Sequence, residues 1–167
     1  MNSKYHQTEE AIFNSMILFL NNHEKDELTI KELCHMAKIS RTTFYSHFMT
    51  LNEAFIALKK HYIGKDFIET NELLTKESRR LILQYLKDNA CFFYIYPKLI
   101  EKDEISSIYG IVKNKIKEYP GFPVDSKKLL FLTSGYISSI FHAMSRCFSF
   151  PLHDMEDYFD YFVSLLS

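Results

Sequence analysis

The sequence contains few of the residues that interrupt helices. Only four glycines and four prolines occur among 167 residues, and the apolar residues recur mostly at three- and four-residue spacing. Helices bury one stripe of side chains at this spacing, whereas half-buried strands alternate every second residue. The scarcity of turn residues therefore argues against an architecture of many short strands and predicts an all-α protein.

Cysteines are few, and long apolar runs are absent. Cys34, Cys91 and Cys147 are widely separated and form no Cys-x-x-Cys pair, which fits buried thiols in a reducing compartment. The N-terminal residues are polar and do not resemble a signal peptide, and no apolar run reaches the roughly 20 residues of a membrane span. We therefore expect a cytoplasmic protein that does not enter a membrane.

A net charge of −1 argues against a protein that coats nucleic acid or binds membranes through a basic surface. Catalytic motifs are also missing, because no glycine-rich phosphate loop and no nucleophile motif occurs. The acidic run His153-Asp154-Met155-Glu156-Asp157 follows Pro151, as expected at the start of a helix, where acids are favoured. We predict no catalytic residue, no metal site and no cofactor.

Two helix-start signals lie about eleven residues apart. Thr29 and Glu32 have the spacing of a capping box, which places a helix start at Ile30. Ser40 is a second N-cap, and its neighbours Ile39 and Phe44 have the spacing of a hydrophobic staple. Two short helices joined by a tight turn predict a helix-turn-helix.

The second helix is expected to bury Phe44 and Phe48. No acid occurs between Glu32 and Glu53, so the outer face offers cations and hydroxyls that suit phosphates and base edges in a major groove. The alternative is an ordinary solvated face, but such a face usually carries Glu or Lys. The residues expected to point outward are Arg41, Thr42, Tyr45 and Ser46, with Thr43 and His47 at the margins.

The same segment resembles the DNA-binding part of TetR-family transcriptional regulators, whose recognition helix ends Tyr-x-His-Phe. Here the ending reads Tyr45-Ser46-His47-Phe48, and the resemblance extends from about Thr8 to Tyr62. It implies that helices capped by Thr29 and Ser40 point their N-termini at phosphate. It further implies base contacts by Arg41, Thr42 and Thr43, phosphate contacts by Tyr45 and His47, and a groove contact by Lys31, while Ser46 belongs to the same exposed surface.

The periodicity also predicts the remaining helices and the domains. We expect a helix-turn-helix domain over residues 1–50, a connecting helix over about 52–73, and a helical bundle for regulation and dimerisation over 74–167. The first helix should run from Thr8 to Asn21 after a mobile arm, Met1 to His6. Later helices should cover about 78–97, about 104–119, about 126–148 and the residues after Pro151.

The last two predicted helices carry small residues beside large aromatic ones, which permits close helix approach. The resemblance implies that these helices pair with their copies in a homodimer, although an intramolecular helix pair has the same pattern. The candidate interface residues are Ser134, Gly135, Ser138, Ser139, Tyr158, Phe159, Phe162 and Leu166.

Aromatic and polar residues of the second domain suggest a cavity for a small-molecule effector, although core packing explains the same residues. The candidate ligand contacts are Phe93, Tyr94, Tyr109, Phe141, His142 and Arg146.

These observations predict a homodimeric regulator, by default a repressor, that binds a palindromic operator in double-stranded DNA and responds to a small molecule or a partner. The alternative is a helical adaptor without DNA affinity. Three features keep it open: Lys38 stands where the family commonly has glycine, Leu51 where it often has a phosphate-binding lysine, and residues 1–62 carry seven basic and seven acidic residues.

Overall fold

The computed structural model describes residues 3–63 and 76–118, together with Ser138, and all regular structure in these residues is helical. This confirms the all-α prediction. The chain divides into two compact units, Met1–Phe67 and Ile68–Ser167. The first contains α1 (Ser3–Leu20), α2 (Ile30–Met36), α3 (Arg41–His47) and α4 (Leu51–Tyr62), and the second contains α5 (Lys76–Asp88), α6 (Ala90–Ile95) and α7 (Lys102–Glu118). Single 3-10 turns lie at Lys25–Glu27 and Tyr96–Lys98.

The core of the first unit is built on one face of α1. Ile12, Met16 and Leu20 follow each other at four-residue spacing and are completely buried. Leu33 of α2 and Phe44 of α3 are buried to the same extent. Since α2 and α3 have only seven residues each, they are too short to be stable alone, and burial of these side chains supports them.

The turn between α2 and α3 is a Schellman motif, the common way in which a helix ends in a left-handed residue. Lys38 has a φ of 54°, its N–H donates to the His35 carbonyl at 3.3 Å, and the Ile39 N–H donates to the Cys34 carbonyl at 3.0 Å. Lys38 thus occupies, as a non-glycine residue, a backbone conformation that glycine adopts without steric cost.

The prediction of a mobile N-terminal arm was wrong, because α1 begins at Ser3 rather than Thr8. The Tyr5 ring stacks on the His47 ring of α3, with 3.9 Å between the ring centroids. This contact between residues distant in the sequence supports the first turn of α1. Met1 and Asn2 lie outside the described residues.

The connecting helix predicted over about 52–73 ends earlier than expected, so the prediction of its C-terminal end was wrong. Helix α4 stops at Tyr62, and Ile63 leaves the helical region with φ −122° and ψ 68°. The Ile63 N–H still donates to the Lys59 carbonyl at 2.7 Å. The last turn carries Lys59, Lys60 and His61, and cations are favourable at the C-terminus of a helix.

In the second unit, the helix predicted over about 78–97 is divided into two helices, α5 and α6. Helix α5 ends at Asp88, and α6 begins after Asn89, whose φ of −110° and ψ of 27° are not helical. The Asn89 side-chain amide donates to the Tyr85 carbonyl at 2.9 Å. An asparagine side chain that occupies a backbone carbonyl in this way competes with helix continuation. Apart from Ser138, the helices predicted over about 126–148 and after Pro151 lie outside the described residues.

The cysteine prediction holds for one of the two cysteines described. Cys34 is buried beside the turn, with its Sγ 3.9 Å from the Ser40 carbonyl oxygen, and burial raises the pKa of its thiol. Cys91 is exposed, because α6 turns the adjacent Phe92 and Phe93 inward instead. Within the described parts of the chain, no helix is long and apolar enough to cross a membrane.

The strained turn predicts a stabilising substitution. Lys38→Gly should raise the free energy of unfolding by about 1 kcal/mol, because glycine adopts a positive φ without a Cβ clash. Urea unfolding monitored by circular dichroism measures the change. Lys38→Ala is the matched control, since it removes the charge but keeps the Cβ. Equal stabilities of the two variants would contradict the strain argument.

Candidate nucleic-acid interface

Helix α2 begins with the predicted capping box. The Thr29 hydroxyl accepts a hydrogen bond from the Glu32 N–H at 3.2 Å, and the Glu32 carboxylate accepts one from the Thr29 N–H at 3.1 Å. The Thr29 hydroxyl also donates to this carboxylate at 2.6 Å. The hydrogen bonds from the Thr29 side chain and backbone hold the pKa of Glu32 below its usual value.

Helix α3 begins at Arg41, as predicted, with Ser40 as its N-cap. The Ser40 hydroxyl accepts from the Thr43 N–H at 2.9 Å and lies 2.8 Å from the Thr43 hydroxyl. Phe44 is fully buried on the inner side of the helix. The cap and the buried ring together determine which side of α3 faces solvent.

The exposed side of α3 contains the residues predicted to point outward. Arg41, Thr42, Tyr45 and Ser46 are exposed, and Thr43 is half-buried. The Ser46 hydroxyl donates to the Thr43 carbonyl at 2.7 Å, so its proton is used within the helix. The remaining three side chains present a guanidinium, an aliphatic hydroxyl and a phenol, which can donate to phosphates or base edges.

Basic side chains lie on α2 and in the turn that precedes α3. Lys31 of α2 and Lys38 of the turn are exposed, as are the capping residues Thr29 and Ser40. The nearest acid after α3 is Glu53, whose carboxylate accepts from the Met49 N–H at 2.7 Å. The surface around α3 therefore carries cations and hydroxyls, although the whole chain is close to neutral.

His47 is placed differently from the other predicted contacts. Its side chain is only 5% exposed, and its Nδ1 is buried without a hydrogen-bond partner. The ring lies against α1, where Tyr5 stacks on it and the Glu9 Oε1 atom lies 3.7 Å from Nδ1. His47 is thus enclosed at the end of α3 rather than displayed on its surface.

Tyr5 and Glu9 were not predicted as site residues. Their four-residue spacing places them on one side of a helix, which was a usable signal. It was missed because Tyr5 was assigned to the arm, so that only Glu9 fell within the predicted helix.

The candidate ligand residues of the second unit do not share one environment. Phe93 is buried, within 6.1 Å of Tyr85 and 6.4 Å of Tyr96 between ring centroids, whereas Tyr94 is exposed. Tyr109 has a buried hydroxyl without a hydrogen-bond partner. Burial, with a smaller contribution from Glu104, raises the pKa of Tyr96 to about 12. Phe141, His142 and Arg146 lie outside the described residues.

Of the candidate dimer residues, only Ser138 is described, and it is exposed. The other seven lie outside the described residues, so the dimer interface stays a prediction.

The capping box predicts an acid-sensitive contribution to stability. The lowered pKa of Glu32 means that its contribution is present above the usual carboxyl value of 4.5 and is lost as pH falls through the folded-state value. In urea titrations between about pH 6 and about pH 3, Glu32→Gln should therefore lose less stability on acidification than the parent protein. Glu10→Gln, at an exposed position of α1, is the control and should follow the parent protein. Parallel pH profiles for the Glu32→Gln variant and the parent protein would contradict this assignment.

Comparison with solved structures identifies the fold. No protein-family model and no curated protein sequence matches the chain. It is similar to a TetR transcriptional regulator from Streptococcus agalactiae 2603V, at 18% identity and a TM-score of 0.58, over 98% of this chain and 96% of that one. It is also similar to the dihydroxyacetone kinase operon activator DhaS, at 16% identity and a TM-score of 0.57, over 95% and 93% of the two chains. At these identities the likeness concerns the fold, and this chain has the fold of the TetR-family transcriptional regulators.

Proposed function

We propose that this chain is a transcriptional regulator that binds a palindromic operator as a homodimer, with α3 as its recognition helix. The observation that carries the proposal is the exposed face of α3, on which Arg41, Thr42 and Tyr45 stand together. Within the described residues these three side chains make no hydrogen bond or ion pair, so they are available to DNA. The fold shared with two solved regulators supports the same function.

Local charge supports DNA as the partner. Lys31, Lys38 and Arg41 are exposed around α3, and the sequence has no acid between Glu32 and Glu53. A cationic surface releases counterions when it neutralises phosphates, so affinity should fall as salt rises. Since the chain as a whole is nearly neutral, this effect depends on the local surface around α3.

A dimer follows from how little DNA one such helix can read. A single helix-turn-helix contacts a few base pairs, whereas two related by a two-fold axis match half-sites about 34 to 36 Å apart. In this proposal residues 1–50 bind DNA, and residues 74–167 supply the dimer interface and an effector or partner site. An effector would act by moving α4, which follows the recognition helix, and so changing the separation of the two recognition helices.

Repression is the proposed default, because an operator-bound dimer blocks polymerase access. Activation is a second candidate, since one solved structure of the same fold is the dihydroxyacetone kinase operon activator DhaS. A reporter placed behind the promoter upstream of this gene separates the two outputs. Deletion of the gene should raise reporter expression under repression and lower it under activation.

Fluorescence anisotropy provides the primary test of DNA binding. The purified protein is titrated onto duplex DNA from upstream of its own gene, with scrambled duplex as control, at two salt concentrations. Salt-sensitive binding that prefers the native duplex is expected. Equal binding to both duplexes would argue against a specific operator in that region, and tiled duplexes from the neighbouring genes would then be examined in the same assay.

Arg41→Ala should weaken operator binding roughly 5- to 100-fold if the guanidinium contacts a base edge, and discrimination against the scrambled duplex should fall as well. If Arg41 contacts phosphate instead, affinity should fall for both duplexes and the salt dependence should become shallower by about one contact per protomer. Lys102→Ala, an exposed cation of α7, is the matched control. An equal loss in the two variants would contradict a specific role for Arg41.

A tyrosine pair tests the adaptor alternative. Tyr45→Ala should weaken operator binding, while Tyr94→Ala, at an exposed tyrosine of the second unit, should leave it unchanged. Anisotropy with the same duplex measures both variants. Wild-type affinity in the Tyr45→Ala variant would show that the Tyr45 phenol does not contact DNA. If the parent protein bound none of the duplexes, the adaptor alternative would be favoured.

A further inference from the structure

His47 is an enclosed histidine at the end of the recognition helix. Its side chain is 95% shielded from solvent, since only 5% is exposed, and Nδ1 has no hydrogen-bond partner. A buried polar atom without a partner is costly and therefore uncommon. The two side chains that enclose it, Tyr5 and Glu9, both belong to α1, more than 35 residues away in the sequence.

Tyr5 contacts His47 through its aromatic face. The two rings are nearly parallel, at 28°, with centroids 3.9 Å apart. Tyr5 itself remains 44% exposed, so this ring covers the histidine without belonging to the core. Two stacked rings restrict each other's rotation, so Tyr5 holds the plane of the imidazole.

Glu9 lies between two histidines. Its Oε1 atom is 3.7 Å from Nδ1 of His47, and its Oε2 atom is 3.8 Å from Nδ1 of His6. Within the described residues, Glu9 is the only acid within ion-pair distance of His47. At 3.7 Å the two atoms are too far apart for a good hydrogen bond, so Glu9 lines the Nδ1 side of the ring without bonding to it.

The chemistry of imidazole connects this arrangement to DNA. Nδ1 of His47 is buried against α1, so Nε2 is the ring nitrogen that remains for a phosphate. An imidazole nitrogen that carries a proton donates a hydrogen bond, and a phosphate oxygen accepts one. The position of Nε2 therefore depends on how Tyr5 and Glu9 hold the ring.

We propose that Tyr5 and Glu9 are positioning residues for DNA binding: they hold the His47 ring in place, so that its Nε2 atom meets a phosphate of the operator. The inference rests on the proposed DNA-binding function and adds to it a phosphate contact controlled from α1. The groups that face His47 from α1 are Tyr5 and Glu9, and His6 shares the Glu9 carboxylate.

The test of Glu9 uses the full-length protein and the duplex that wild type prefers, with binding measured by anisotropy. Glu9→Ala should weaken binding roughly two- to tenfold, because the His47 ring loses its neighbour on the Nδ1 side. Glu9→Gln, which keeps the size of the side chain, should restore wild-type affinity. Wild-type affinity in Glu9→Ala would overturn the role of Glu9.

Tyr5 is tested by a rescue pair and a double variant. Tyr5→Ala should weaken binding roughly two- to tenfold, and Tyr5→Phe, which keeps the stacked ring, should restore wild-type affinity. In a His47→Ala background, Tyr5→Ala should have no further effect if Tyr5 acts through His47. A full Tyr5→Ala effect in that background would show that Tyr5 touches DNA itself and would overturn the positioning role.

NMR of the free protein tests the arrangement without DNA. The ring-proton resonances of His47 should shift in Tyr5→Ala, because the ring current of Tyr5 is lost, and should stay near their wild-type positions in Tyr5→Phe. Unshifted resonances in Tyr5→Ala would overturn the stack. If wild type binds no duplex, the proposed function fails. If wild type binds and neither Tyr5→Ala nor Glu9→Ala weakens binding, only this inference fails.

Discussion

The left-handed turn at Lys38 controls the geometry of the candidate interface. Its two Schellman hydrogen bonds, from the N–H groups of Lys38 and Ile39, end α2 and direct the chain into the Ser40 cap of α3. Because α3 has only seven residues, a different turn would rotate its whole exposed face. The direction of Arg41 and Tyr45 thus depends on the backbone of Lys38, Ile39 and Ser40, whatever the side chains of these three residues contact. This fold keeps the turn even with a lysine in place of glycine, at a cost of about 1 kcal/mol.

Burial under α1 then holds these short helices in place. Ile12 and Met16 of α1 are fully buried together with Leu33 and Phe44, and helices this short depend on such packing. The same helix reaches α3 a second time through Tyr5, at the opposite end from the Ser40 cap. Helix α1 therefore supports the recognition helix both through the core and at its exposed C-terminal end.

The electrostatic character of the unit is local rather than global. Seven basic and seven acidic residues occur in residues 1–62, yet two acids beside the helix-turn-helix are occupied by the backbone: Glu32 accepts from the Thr29 N–H, and Glu53 accepts from the Met49 N–H. A capping carboxylate serves the helix start, while exposed lysines and Arg41 determine the sign of the adjacent surface. Composition alone therefore says little about whether this unit binds DNA.

The sequence by itself determined the starts of α2 and α3 and the exposed face of α3, because capping and staple signals act between residues three to five positions apart. The family resemblance marked Lys38 as a position that commonly has glycine, and the structure showed that its backbone is left-handed. Only the tertiary structure decided that α1 begins at Ser3 and that His47 is enclosed. Both depend on the contact between Tyr5 and His47, residues far apart in the chain, and helical periodicity reveals which residues share a face but not which distant face they meet. The C-terminal end of α4 and the break at Asn89 were both mispredicted. Apolar spacing continues across the two positions, but the backbone leaves the helical conformation at Ile63 and at Asn89.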